Sequence, residues 1–133
     1  MVRTFATFLS EFPDDSEEDG DGDILVPGGR AIAQALAAKI LSAGAPRQHE
    51  FYGWKFEFKT TSNKDAWVLI QQPGPWLLTV ESKAGWFQKR IGNAADKAEA
   101  VDVIRSAIEG IEEISSVSWF TEQEFEMSSR RDG

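Results

Sequence analysis

Hydrophobic and polar positions alternate most clearly between Phe51 and Phe87, a stretch that holds four of the five tryptophans. Tyr52, Trp54, Phe56 and Phe58 recur at period two, with Lys55, Glu57 and Lys59 between them. That alternation predicts a strand with one buried face. Thr60 to Lys64 is polar and contains Asn63, so it reads as a hairpin loop. Ala66 to Gln72 is a nearly continuous apolar run, as expected of a strand buried on both faces. Pro73, Gly74 and Pro75 must interrupt any ladder. Trp76, Leu78 and Val80 then share a face opposite Thr79, Glu81 and Lys83. The pattern predicts a three-stranded antiparallel meander over about 51–84.

Helical spacing flanks this meander. Ile32, Leu36 and Ile40 recur every four residues, with Ala33, Ala37 and Leu41 beside them, and predict a helix from about Gly29 to Ser42. Pro27 suits its start, while Gly44 and Pro46 suit its end. Val101, Ile104, Ile108 and Ile111 form the buried stripe of a second helix from about Ala94 to Glu113. Asn93 with Asp96 resembles a capping box. Val117 to Thr121 reads as a short strand that buries Trp119. Residues 2–12 place Phe5, Phe8, Leu9 and Phe12 at i, i+3, i+4 and i+7. The spacing predicts a helix that ends before Pro13, although Phe5, Thr7 and Leu9 also suit one face of a strand. Residues 122–133 read as a frayed polar tail.

The expectation is one domain over residues 1–133 with an α+β fold. It is a two-layer sandwich in which the meander and a C-terminal strand pack two helices on one face. A chain of 133 residues supports one core. No stretch has the length and apolar character of a membrane span, and no signal-peptide pattern opens the chain. With no cysteine there is no disulfide, thiolate nucleophile or cysteine-bound zinc, and a reducing cytoplasm is the simplest setting.

Charge is unevenly placed within the net −8. Residues 1–27 carry a net −7, residues 28–105 a net +4, and residues 106–133 a net −5. Such a balance argues against duplex nucleic acid, which demands a basic surface. Residues 13–23 form the acidic loop PDDSEEDGDGD. Asp15, Glu17, Asp19, Asp21 and Asp23 recur at spacing two, and Gly20 is sixth from Asp15. This partly matches a calcium loop, but position 12 is Val26 instead of the bidentate glutamate. No metal or other cofactor is expected. Gly28-Gly29 before a helix lacks the Gly-Lys-Ser/Thr ending of a phosphate loop.

Catalytic residue types are scarce. His49 is the single histidine, and its neighbour Glu50 would point to the other face of a strand. Glu57 and Glu81 sit on the polar faces of predicted strands. Trp86 and Phe87, followed by Lys89 and Arg90, suggest an exposed corner. In size, acidity and layout over residues 28–121 the chain resembles small bacterial α+β proteins that bind another protein, such as toxin-immunity proteins and secretion chaperones. The resemblance implies a non-enzymatic, protein-binding module. The expected contact residues are Asp14, Asp15, Glu17, Glu18, Asp19, Asp21, Asp23, Trp86 and Phe87, facing a basic protein. The alternative is a small enzyme with a carboxylate/basic cleft. The abundance of aromatics, fourteen Trp and Phe, also raises a homodimer.

Overall fold

The structure is a computed structural model that describes residues 2–13, 15–49, 53–71, 76–82 and 94–132, the side chains of Ile24, Ala94 and 128–132 excepted. Tyr52, Trp86 and Phe87 lie outside the described residues. Eight strands and three helices are described. In chain order they are β1 (Phe5–Ser10), β2 (Glu17–Glu18), β3 (Ile24–Val26), α1 (Arg30–Ala38), β4 (Arg47–His49), β5 (Gly53–Lys59), β6 (Asp65–Gln71), β7 (Trp76–Ser82), α2 (Ala94–Glu109), β8 (Ile114–Phe120) and α3 (Glu122–Asp132).

The meander forms as its alternation predicts. β5, β6 and β7 pair antiparallel, with Phe56 opposite Val68 and Val68 opposite Val80. Residues directly opposite share a face. One face therefore carries Trp54, Phe56 and Phe58, then Ile70, Val68 and Ala66, then Leu78 and Val80, all of them buried. α1 adds Ile32, Ala33 and Leu36 to this core, and α2 adds Ala100, Val101, Ile104, Ala107 and Ile108. The fold is α+β, with these two helices on one face of a six-stranded antiparallel sheet ordered β4-β5-β6-β7-β1-β8.

Residues 2–12 do not form the expected helix. Phe5–Ser10 is an interior strand, paired with β7 on one side and β8 on the other. Ala6 and Phe8 turn to the helix-covered face and are buried, while Phe5 and Leu9 turn away. The same apolar set satisfies a helical stripe and a strand with two apolar faces. Two waiting edges decide between them, because each strand residue there finds a backbone partner that a helix would not need. Pairing with β8 contains a bulge. Thr7 faces Ser118 and Leu9 faces Ser115, so β8 has one extra residue, and Ser116 takes a positive φ of 53°.

The C-terminal segment is also not the expected frayed tail. Thr121 and Glu124 form a reciprocal capping box at the start of α3. The Thr121 N–H donates to Glu124 Oε1 at 2.9 Å, and the Glu124 N–H donates to Thr121 Oγ1 at 3.1 Å. Arg3 donates to the same carboxylate oxygen at 3.2 Å. Phe125 stacks on Phe5 at 5.1 Å between centroids and meets Phe120 edge-on at 6.5 Å. α3 thus lies against the face that α1 and α2 leave open. Trp119, expected in the core, lies opposite Ala6 on the other, helix-covered face, where it is half-buried against the core with Arg105 of α2 5.1 Å over its ring.

Two tests follow from this packing. Phe56→Ala should lower unfolding free energy by about 3–5 kcal/mol in chemical denaturation, the usual cost of emptying a packed aromatic site. The second concerns acid. The Thr121 N–H, followed by the Arg3 hydrogen bond, holds the Glu124 carboxyl below the ordinary glutamate range. A depressed carboxyl pKa stabilises above the unfolded value, and that contribution is lost as pH falls through the folded value. Acid titration followed by α3 amide exchange should show α3 loosening at low pH, and Glu124→Gln should flatten that dependence.

Candidate functional site

The acidic stretch folds into a small hairpin of its own, β2 against β3, with Glu17 opposite Val26 and Glu18 opposite Ile24. Asp19 builds its turn. Asp19 Oδ1 accepts from the Asp21 N–H at 2.8 Å and the Asp23 N–H at 3.0 Å. The Asp19 N–H donates to the Asp23 carbonyl at 2.8 Å, and Gly22 supplies a φ of 88°. Aspartate is suited to such turns because its short carboxylate reaches backbone N–H groups two and four residues on.

Asp15 has a different role. Its Oδ1 accepts from the Gly29 N–H at 2.9 Å and its Oδ2 from the Ala31 N–H at 2.8 Å. It therefore caps the N-terminus of α1 from a distant part of the sequence. Gly29 itself offers no side-chain cap and has a φ of 109°. The left-handed conformation favours glycine, and a Cβ there would crowd the Trp76 ring at 3.1 Å. The Gly-Gly approach to a helix does hold an anion, and the anion is the Asp15 carboxylate.

The seven loop acids thus divide. Asp14 lies outside the described residues, while Asp15 and Asp19 satisfy backbone groups. Glu17, Glu18, Asp21 and Asp23 are exposed. No cation among the described residues lies in ion-pair range of these four. Leu25 stands among them, 60% exposed. The alternating carboxylates do not converge, and no three potential metal ligands come together among the described residues. The hairpin is fastened at the β4–β5 edge of the main sheet. There Gln48 Nε2 donates to the Leu25 carbonyl at 3.4 Å and Trp54 Nε1 to the Pro27 carbonyl at 2.9 Å.

A second feature is a cleft of about 820 Å³ between the end of α1, the β5–β6 turn and α2. Ile40, Val103 and Ala107 form its apolar floor, and Lys39, Lys59, Glu99 and Asp102 its charged walls. Leu41 stands at its rim, fully exposed. Ser62 Oγ donates to Glu99 Oε1 at 2.5 Å and holds that carboxyl below its ordinary range, against the opposing effect of desolvation. Lys59 is engaged by Asp65 at 2.7 Å.

The strand carboxylates singled out in the sequence are not in this cleft. Glu57 lies 3.8 Å from Arg47, and Glu81 lies 3.2 Å from Lys97. They sit on β5 and β7 with β6 between them. His49 ends the edge strand β4 and shares neither group's surroundings. The cleft escaped sequence reasoning because Glu99 and Ser62 meet only through tertiary packing. The capping role of Asp15 escaped it for the same reason, while the Thr121-x-x-Glu124 box was written in the sequence. No helix among the described residues is long and apolar enough to cross a membrane. No known protein family, curated protein or solved structure matches the chain.

These assignments separate acids that hold the fold from acids that do not. Asp15→Ala should cost about 1 kcal/mol of stability, as loss of a helix cap does. Asp21→Asn should stay within about 0.5 kcal/mol, as exposed surface changes usually do. Parallel urea titrations of the two variants would check the contrast.

Proposed function

We propose that the protein is a non-enzymatic binding module, working in the cytoplasm, that holds a basic protein in the manner of an immunity protein or a chaperone. The observation that carries this reading is the acidic hairpin. Its four exposed carboxylates stand on a small hairpin, Glu17 and Glu18 on its first strand and Asp21 and Asp23 in its turn, and Asp15, Gln48 and Trp54 fasten that hairpin to the body. Rigid mounting fixes where the field points. Exposed charges of one sign speed encounter with an opposite surface and are screened beyond about 8 Å at physiological salt. Exposed Leu25, on the second strand of the hairpin, adds an apolar side chain to the patch. Trp86, Phe87 and Asp14 belong to the same reading and lie outside the described residues.

An enzymatic reading has the cleft as its support, since carboxylates and lysines meet there over an apolar floor. Its hydroxyl–carboxylate contact, Ser62 to Glu99, holds the carboxyl below its ordinary range, which makes it a weak general base. The hairpin therefore carries the proposal.

The test is affinity capture from the native host at low and moderate salt. Wild-type protein and a variant with Glu17→Gln, Glu18→Gln, Asp21→Asn and Asp23→Asn serve as paired baits. A basic protein should be retained by the wild type, with an association rate about tenfold or more above that of the variant and falling steeply with salt. A retained partner whose on-rate and salt dependence are equal for both baits would remove the hairpin from the contact.

A further inference from the structure

The six-stranded sheet ends in two unlike edges. β4 is three residues long, follows Pro46 and begins with Arg47. A short, charged edge beside proline resists strand addition. β8 is seven residues long, reads ISSVSWF, and contains neither charge nor proline. Among the described residues its only strand neighbour is β1.

The ladder fixes where the β8 backbone groups point. In an antiparallel sheet the N–H and C=O of one residue face the same side, and successive residues alternate. The Val80 N–H donates to the carbonyl of Thr4, its register partner, at 2.9 Å. Thr4, Ala6 and Phe8 therefore face β7, while Phe5 and Thr7 face β8. Their partners Phe120 and Ser118 face back to β1. Val117 and Trp119 then turn both N–H and C=O outward. The bulge at Ser116 bounds this regular stretch at one side. Val117–Phe120 thus offers an incoming strand two donors and two acceptors.

Charge selects the occupant. Glu112 and Glu113 precede the strand, and Glu122 and Glu126 follow it; all but half-buried Glu113 are exposed. A second copy added antiparallel would set Glu112 and Glu113 beside the Glu122 end of its neighbour, acid against acid. An extended segment with basic residues at both ends would meet opposite charge at both.

We propose that the outer edge of β8 takes up an extended segment of another protein by strand addition. The segment is uncharged where it pairs and flanked by lysine or arginine on each side. Main-chain bonds at Val117 and Trp119 supply affinity, and the acidic flanks supply selectivity. This edge lies across the sheet from the acidic hairpin, so the inference goes beyond the hairpin reading and stands apart from it.

The test uses the full chain and two displayed libraries of random eight-residue segments. One library is flanked on each side by two lysines, the other by two glutamates. Enrichment is expected from the lysine-flanked library alone. A synthetic peptide of an enriched sequence should slow amide exchange at Val117 and Trp119. Val117→Pro removes one outward donor and should weaken the peptide about fivefold to tenfold, as one lost hydrogen bond does. Retained protection of the Ser118 and Phe120 amides would show that this variant still folds. Glu112→Lys with Glu122→Lys leaves the backbone intact and should also weaken binding. The variant with a neutralised hairpin should bind the peptide as the wild type does. The proposal is overturned by no enrichment, equal enrichment from both libraries, or peptide protection elsewhere than Val117 and Trp119. It is equally overturned if the neutralised hairpin abolishes binding, or if concentrated protein alone protects those two amides, which would make a second copy the occupant.

Discussion

Burial of one sheet face beneath two slender helices is the constraint on which the remaining structure depends. Three cross-strand rows define that face. They run Trp54–Ile70–Leu78–Ala6, Phe56–Val68–Val80 and Phe58–Ala66–Ser82. Bulk falls toward β5, and small side chains fall toward the middle strands. α1 can sit close over the aromatic side because Gly29 and its alanines keep it narrow, while the aliphatic Val101, Ile104 and Ile108 of α2 complete the core. Each fully buried large side chain is worth roughly 1.5–3 kcal/mol against exposure. Exposed acids, the outer strand edge and the cleft all take their positions from this layer.

The opposite face obeys a looser rule. Lys55, Glu57 and Lys59 keep it polar over β5, with the Lys55 ammonium 4.7 Å from the Trp67 ring. Over β1 and β8 it turns aromatic, and Phe125 of α3 closes that part against Phe5 and Phe120. One sheet therefore presents a covered face, a polar quarter and an aromatic quarter. The charged hairpin and the neutral strand stand at opposite borders of the sheet.

Much of this was legible in the residues. The period-two run from Trp54 to Phe58 and the i, i+4 stripes of α1 and α2 each have one satisfactory solution, and they take it. Phe5 to Phe12 has two, and local pattern cannot choose, because the deciding partners lie far away in β7 and β8. The Thr121-x-x-Glu124 signature was local and outweighs the polarity of the residues that follow. For the candidate site, the acids were visible as a cluster, but their division was not. Asp15 and Glu17 look alike in sequence. Only the helix end that Asp15 reaches, and Glu17 does not, separates a structural carboxylate from a free one.

The interior position of β1 also bears on how the chain is made. β1 leaves the ribosome well before its two neighbours, β7 and β8. Phe5 and Phe8 must therefore wait, unpaired and apolar, until β7 and β8 have emerged. Long-range closure of this kind slows folding and leaves strand edges open to wrong partners. The acidic segment that follows β1 sits beside those exposed phenylalanines throughout the wait. Like charges of this kind favour solvation of the chain around them.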